Sequence, residues 1–532
     1  MTKFGGDSRN QEGAVLSGGG RPRVRQALQD LSTLEMERMP QSKEASSGLS
    51  DSRISQSLRE SQILQFTEGL DAVKALDRAQ KGDAGKTAGF GRLLSKLSVL
   101  AESEKALGQT LVARGGVVSE VSRALIVAKG LSYAVALGDR VAIEWGGRVA
   151  YGEVIRINEK EVLIKPYDEG MTPALNASVF PSGPFYVAPD VSWRGRVLDA
   201  LGQAIDDKGP ILVGDRNMLV ETQAPPALKR ARVGKPLRTG VRVIDIFTPL
   251  CFGQRIGIFA GSGVGKSTLL AMLSETKHFD TVVLALTGER GREVRDMLED
   301  TMRGELSKVV TVVATSDESP MMRRLAPATA TTIAEYFSCL GDQVLLVVDS
   351  ITRYALAGRE IAIAAGEPPV SRGFPPRVFA DLPKLLERAG PGPRGKGSIT
   401  GVYSVLVEGD DHNDPISDAA RGILDGHIVL DRSVAVQGRF PAVDITSSIS
   451  RLAPYSWNGE QKKLVSSLKE MIARYEETRD LRAMGAYKAG VDPFLDQAVI
   501  LVPQIYEALK QSPNAPLSSD AYEDLARALK GS

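Results

Sequence analysis

Cysteine is nearly absent from this chain. Among 532 residues only Cys251 and Cys339 occur, too few and too distant for a disulfide framework or a zinc cluster, which points to a reducing compartment. Both are expected to be core thiols. Histidine is as scarce: His278, His412 and His427 show none of the spacings of metal ligands. Net charge is also missing. With 66 Lys+Arg against 65 Asp+Glu, a formal +1, no global field draws the chain to nucleic acid or to an anionic membrane, so a nucleic-acid partner is not expected. No apolar run approaches the roughly 20 residues that span a bilayer. The N-terminus lacks the basic stretch, apolar core and cleavage site of a secretory signal. A cytoplasmic protein is expected, one that meets a membrane through partners.

What is present is the composition of a soluble globular protein, 42% hydrophobic and 25% charged, at a length that calls for several domains. Met1 to about Asp51, rich in Gly, Ser, Arg and Gln without a sustained period, cannot bury enough surface to offset chain entropy and is expected to be disordered. Leu58, Leu64, Leu70, Val73 and Leu76 recur at loosely helical spacing before the stretch KGDAGKTAGFG. Leu93, Leu94, Leu97 and Leu100 form a second amphipathic stretch, which packs on its own domain or offers a face to a partner helix. Between about Gln109 and Ala188, short β-branched runs such as RVAIEW and GGRVAYGEVIRI alternate with glycines. They predict a small β-barrel of five or six strands with a turn at Gly146 and Gly147.

From about Gly195 to Leu452 the apolar runs RIGIFAG, TVVLALTG, VVTVVATS, QVLLVVDS, GVYSVLVEG and HIVLDR alternate with helical segments. Such runs suit a parallel sheet buried on both faces. After Pro454, stripes through Leu464, Leu468, Met471, Ile472, Tyr475 and Leu481, then Leu495, Val499, Ile500, Ile505 and Leu509 predict helices. The expected fold is multidomain: a small β-barrel, a RecA-like α/β P-loop core with a parallel sheet, and a C-terminal helical domain. The boundaries are set at 1–90 for a disordered or helical extension, 91–188 for a helix and barrel, 189–452 for the ATPase core and 453–532 for the helical end.

Chemistry enters with AGSGVGKST, Ala260 to Thr268, directly after the strand RIGIF and before the helical TLLAMLS. A backbone that must wrap its N–H groups around phosphates needs glycines free to take positive φ, which Gly261, Gly263 and Gly265 supply. Together with Ser262, Val264 and Thr268 they make the candidate ATP cradle. Lys266 reaches the β and γ phosphates, and Ser267 holds Mg2+ by its hydroxyl at the positive end of a helix. The motif has Ala260 where the general pattern begins with glycine, a place that needs only a small residue. QVLLVVD places Asp349 at the end of an apolar strand, where α/β sheets bind ligands, in position to hold Mg2+ through water. TGERGREV follows another apolar strand. Its Glu289 is the candidate base that polarises an attacking water.

The segments GERGREV, VVDSITRYA from Val347, DGHIVLDR from Asp425, RFPAVD from Arg439 and SSISR ending at Arg451 occur in one order. In that order they resemble the catalytic-subunit lineage of the rotary and type III secretion ATPases. RGFPPRVFADLPKLLERAG, GSITGVYSVLVEGDDHNDPISD and GAYKAGVDPFLDQA resemble the export branch, most closely its flagellar members. The resemblance runs from the barrel to the C-terminus and leaves out roughly the first 90 residues. It implies that Glu289 is the catalytic glutamate, with Arg290 and the metal-side Glu293 as its motif neighbours. Arg353 would sense the γ-phosphate, Phe440 would stack on adenine, and Arg451 would be an arginine finger inserted into a neighbour's site.

One chain carrying both its own glutamate and its own finger implies a homohexamer. The family further implies a stator-like regulatory protein on the N-terminal region, membrane proteins of an export gate, and chaperone–substrate complexes. It also implies a place at the cytoplasmic face of the inner membrane. The acidic group Asp410, Asp411, Asp414 and Asp418 lies in a stretch the family shares and is expected in a loop near a subunit interface rather than as a cation site. Alternatives are a virulence secretion ATPase, a rotary ATP synthase catalytic subunit that needs an α partner, and a Rho-type RNA-dependent ATPase. The last is disfavoured because the barrel lacks an aromatic-plus-basic stacking surface.

Overall fold

The computed structural model describes residues 115–530 apart from 171, 302–305, 394 and 408–413. The expectations for residues 1–90 and for the leucine-rich stretch at 93–100 lie outside the described residues. Six antiparallel strands open the described chain: β1 (Gly116–Val121), β2 (Ile126–Lys129), β3 (Arg140–Trp145), β4 (Arg148–Ile157), β5 (Glu161–Pro166) and β6 (Ser178–Gly183). They close into a barrel in the order β1-β2-β5-β4-β3-β6. Alternation does the work: Val141 and Ile143 of β3 point inward to meet Val118, Ile126, Val154, Ile164 and Val179. Gly146 and Gly147, at φ 55° and 75°, form the two-residue turn between β3 and β4, closed by the pairing of Trp145 with Arg148. Two successive positive φ values match the twist of the strands they join.

The core sheet is built from β7 (Val197–Asp199), β8 (Arg255–Ala260), β9 (Thr281–Thr287), β10 (Val309–Ala314), β11 (Gln343–Asp349), β12 (Ser398–Leu406), β13 (Gly426–Leu430) and β14 (Val443–Ser450). Their order is β14-β13-β8-β12-β11-β9-β10-β7. From β7 to β13 every pairing in this order is parallel; β14 runs back antiparallel along β13, and the two-residue strand Gly390–Pro391 does the same along β12. Strand β9 shows why the runs are continuously apolar. Val283 and Ala285 face one core cluster, Val282, Leu284 and Leu286 the other, so polar side chains are confined to the strand's two ends, Thr281 and Thr287.

Helices α4 (Pro320–Leu340), α5 (Ile351–Ala364), α6 (Pro376–Leu386) and α7 (Pro415–Ile423) cover the first face. Helices α1 (Arg242–Phe247) and α2 (Lys266–Ser274) cover the second, joined by the C-terminal α8 (Gly459–Glu477), α9 (Pro493–Leu509) and α10 (Ala521–Lys530). A third short helix, α3 (Gly291–Asp296), follows β9. The C-terminal helices bury Val465, Leu468, Met471, Ile472, Val502 and Ile505 in the same cluster as the sheet. They therefore have no separate core. Leu464, Leu481 and Ile500, assigned to the apolar stripes from sequence, are exposed, because Val465 and Val502 take the inward positions. Cys251 is buried as expected; Cys339, at the end of α4, is exposed.

The barrel meets the core through a charge cluster built around the buried Glu153. Arg324 of α4 makes a bidentate pair with Glu153 of β4, at 2.7 and 2.8 Å, and a 2.5 Å bond to Glu221. Burial, opposed by the Arg324 guanidinium, raises the Glu153 carboxyl to about 7.

Candidate functional site

The glycine loop leaves β8 at the C-terminal edge of the sheet. Left-handed backbone occurs at Gly263 (φ 78°) and Gly265 (φ 92°). Gly261, expected to share that role, stays outside the left-handed region and is buried. Val264 anchors the loop by burying its side chain in the core cluster below, while Ser262, Ser267 and Thr268 face outward. Arg432 adds a bond from its Nη2 to the Ser262 carbonyl, 3.3 Å.

Lys266 opens α2 and points its ammonium across the strand ends. Its Nζ lies 2.5 Å from Asp349 Oδ1 and 3.3 Å from Glu289 Oε1. The three groups converge from β8, β11 and β9, whose ends are aligned by the register Leu286 to Asp349 and, across β12, Val348 to Tyr403. Ser404 of β12 supplies a fourth member, donating its hydroxyl to Asp349 Oδ1 at 2.5 Å. Both contacts of Asp349 fall on Oδ1. Burial alone would lower the Lys266 ammonium, but the Asp349 and Glu289 carboxylates outweigh it and hold it above the ordinary lysine range. Glu289 is raised, first by burial and then by the Asp349 charge, with Lys266 pulling the other way.

Arg353, on the first turn of α5, lays its stem against Gly288, where an added Cβ would come within 3.0 Å of Arg353 Cβ at φ 68°. Its buried Nε has no hydrogen-bond partner among the described residues. Phe440 stands over the end of the glycine loop, its ring 3.7 Å from where a Gly265 Cβ would be, and it is half exposed. In front of it lies a cavity of about 470 Å³ bounded by Thr268, Met272, Lys510 and Pro513. A larger cavity of about 690 Å³, around Trp193 and the 201–213 loop, holds none of the residues expected from sequence.

Two expected residues stay apart from the lysine cluster, and a third only flanks it. Arg290 is exposed, 4.0 Å from Glu293; Glu293 in turn reaches back to Glu289, and that hydrogen bond is one of the forces raising it. Arg451 is at the opposite end of the sheet. Strand β14 starts beside the glycine-loop edge, where Val443 pairs with Leu430, and ends where Ser450 pairs with Gly426. Seven residues of strand separate those ends, roughly 20 Å. There Arg451 is exposed and donates from Nη2 to the Arg421 carbonyl, 3.2 Å. Of the acidic group, Asp414 caps α7 by accepting from the Ile416 and Ser417 N–H groups; Asp410 and Asp411 lie outside the described residues. No cluster of His, Cys, Asp or Glu that fits a metal occurs among the described residues.

Ser404 and the 510–513 wall were not found from sequence. The signal for Ser404 was a hydroxyl inside the otherwise apolar run GVYSVL; the wall had none, because it arrives from a distant part of the chain.

A glycine loop between β8 and α2, with a buried carboxylate at the end of β11 and a partly buried one just past β9, defines a P-loop nucleoside triphosphatase with a RecA-like sheet. Models of the ATP synthase alpha/beta family nucleotide-binding domain and of the T3SS EscN ATPase C-terminal domain match residues 240–450 and 457–529. The flagellum-specific ATP synthase of Agrobacterium fabrum is 55% identical over 420 residues, 79% of this chain and 89% of that one. The solved structure of the assembled ATPase EscN from the enteropathogenic E. coli type III secretion system is 40% identical, with a TM-score of 0.72 over 78% of this chain and 99% of EscN. EscN in complex with its central stalk EscO gives 39% and 0.69 over the same shares. The chain belongs to the ATP synthase alpha/beta family, in the branch of flagellum-specific ATP synthases and type III secretion ATPases. It is an ATPase.

Proposed function

We propose that the chain is the motor subunit of a flagellar protein-export apparatus, working as a homohexamer whose sites form between neighbours. The observation that carries this is the separation of Lys266, Glu289 and Asp349 at one end of the sheet from Arg451 at the other. A chain that cannot bring its own finger to its own phosphates needs a second copy to do so.

ATP binds with its phosphates in the N–H groups of 261–268 and with Lys266 against the β and γ oxygens. The Ser267 hydroxyl and the Asp349 carboxylate, whose Oδ1 accepts from Lys266 and Ser404, would hold Mg2+. Mg2+ held there would neutralise phosphate charge. Glu289 orients and deprotonates the attacking water, and Glu293 steadies it. Arg353 and a neighbour's Arg451 stabilise charge on the transferring phosphoryl group, with Arg290 at the edge of the interface. Phe440 stacks on adenine.

Similarity to a flagellum-specific ATP synthase over 79% of the chain supports the flagellar reading. The likeness to EscN supports virulence export as the second. A stalk or stator-like partner is supported by the EscN complex with EscO. Gate proteins and chaperone–substrate complexes follow from the export role, as does a place at the cytoplasmic face of the membrane.

Two inactive variants test the shared site. Glu289→Gln and Arg451→Ala are each expected to hydrolyse ATP at least 100-fold more slowly than the wild type. Mixed and reassembled, they should recover activity, because about a quarter of randomly formed interfaces pair an intact glutamate with an intact finger. A mixture as inactive as its components rejects the shared site. Deletion of the gene, scored for motility and for effector secretion, separates the flagellar reading from the virulence one.

A further inference from the structure

The arm after α9, residues 510–518, forms one wall of the cavity in front of Phe440. Gln511 is its fixed point. Buried at 4% exposure, it makes three bonds to two separate segments, 240–242 and Phe440. Its backbone N–H donates to the Phe440 carbonyl at 2.8 Å, Nε2 donates to the Gly240 carbonyl at 2.9 Å, and Oε1 accepts the Arg242 backbone N–H at 3.1 Å. The amide has one satisfactory orientation, since the first partner only accepts and the second only donates.

Arg242 completes the lock by donating from Nη2 to the Lys510 carbonyl, 2.7 Å. Further along the arm, Ser518 N–H donates to the Gly240 carbonyl, 2.9 Å. Leu517 packs so close that a Cβ at Gly240 would lie 2.6 Å from it. On the other flank of Phe440, the Arg439 guanidinium sits 3.3 Å from the centre of the Tyr506 ring of α9, and the Tyr506 hydroxyl is held by Glu476 of α8 at 2.6 Å. Phe440 is 46% exposed, so packing holds only part of it and its backbone anchors carry more of its placement.

We propose that Gln511 is the positioning residue for the purine: its side chain anchors the arm to Gly240 and Arg242, which holds its main-chain N–H against the Phe440 carbonyl, so that nucleotide affinity depends on the C-terminal arm. This rests on the reading that Phe440 stacks on adenine. A lost grip on Phe440 costs base contact and leaves phosphate contact intact, because Lys266 and the glycine loop are held by other elements.

The test uses the full chain with Mg2+ and two probes, ATPγS and inorganic tripolyphosphate, with affinities measured by calorimetry. Phe440→Ala should weaken ATPγS on the order of 5- to 100-fold, the range of one base–aromatic stack. Gln511→Ala should weaken it about 3- to 10-fold, raise KM by a similar factor, keep kcat within about twofold, and leave tripolyphosphate unchanged. In the Phe440→Ala background, Gln511→Ala should add nothing. Equal loss for tripolyphosphate, or full additivity in the double variant, overturns the proposal. Wild-type affinity in Gln511→Ala beside a weakened Phe440→Ala overturns it while sparing the stacking; unchanged affinity in Phe440→Ala removes the stacking and the proposal together. If Gln511→Ala does not fold, Gln511→Glu serves. It keeps the acceptor for Arg242 and loses the donor to Gly240, so an intermediate loss supports the proposal and wild-type affinity refutes it.

Discussion

Lys266 touches two carboxylates that have opposite uses for it. Asp349 and Glu289 both stabilise its charge, yet Glu289 needs a free lone pair to take a proton from water. Burial and the nearby Asp349 raise the Glu289 carboxyl, so it gains basicity relative to a surface glutamate. The protonated form is inactive as a base, so hydrolysis should fall as pH drops through a midpoint above the ordinary glutamate value. In Glu289→Gln, the residual rate should lose that acid limb while nucleotide binding persists. A pH–rate profile of kcat/KM checks both; an unchanged acid limb in the variant assigns the titration to another group. Ser404 should matter through Asp349 alone. Its signal in the sequence was faint because a serine in a buried strand is as often a satisfied core hydroxyl as a member of a site. Gln511 had none, since its side-chain partners are about 270 residues away.

Among the elements, the six strands from β8 to β13 were legible because each is a continuous apolar run bounded by helical text. Strands β7 and β14 were not: the first has three residues and the second alternates, with Asp444, Thr446 and Ser447 interleaved among its apolar residues. Sheet order was hidden as well, since parallel neighbours are decided by packing across the sheet rather than by anything local. The contact of β4 with α4 is where charge replaces apolar packing. Arg324→Ala would leave Glu153 and Glu221 together without their cation, and should cost about 3 to 5 kcal/mol in chemical denaturation. Stability should also depend on pH here. Glu153 titrates near 7 in the fold against an ordinary 4.5, so the folded state binds its proton more tightly. Its contribution is complete below about pH 4.5 and is lost as pH rises through 7. Melting temperature should therefore fall over that window, and Glu153→Gln should flatten the slope; a slope unaltered in the variant removes Glu153 as its source.

For the whole molecule, the C-terminal helices share their core with the sheet. They are not an appendage that moves freely on a hinge; a shift in α8 or α9 is felt by the residues next to Phe440. Oligomerisation supplies the other half of the proposed site, so ATPase activity per chain should climb steeply with protein concentration and fall on dilution, in step with the hexamer population measured by mass photometry. Activity per chain that stays constant across the dissociation range would contradict a site built between copies.

Strand β14, by turning back along β13, gives the subunit a head and a tail. On the proposal above, each chain is half of two different sites, and an open row always leaves one glutamate unattended and one finger idle. Damage to Arg451 then appears one position away from the damaged chain. Each such chain keeps its own glutamate in service and silences one healthy neighbour, so in a mixed ring the dead site and the altered chain never coincide unless two altered chains sit side by side.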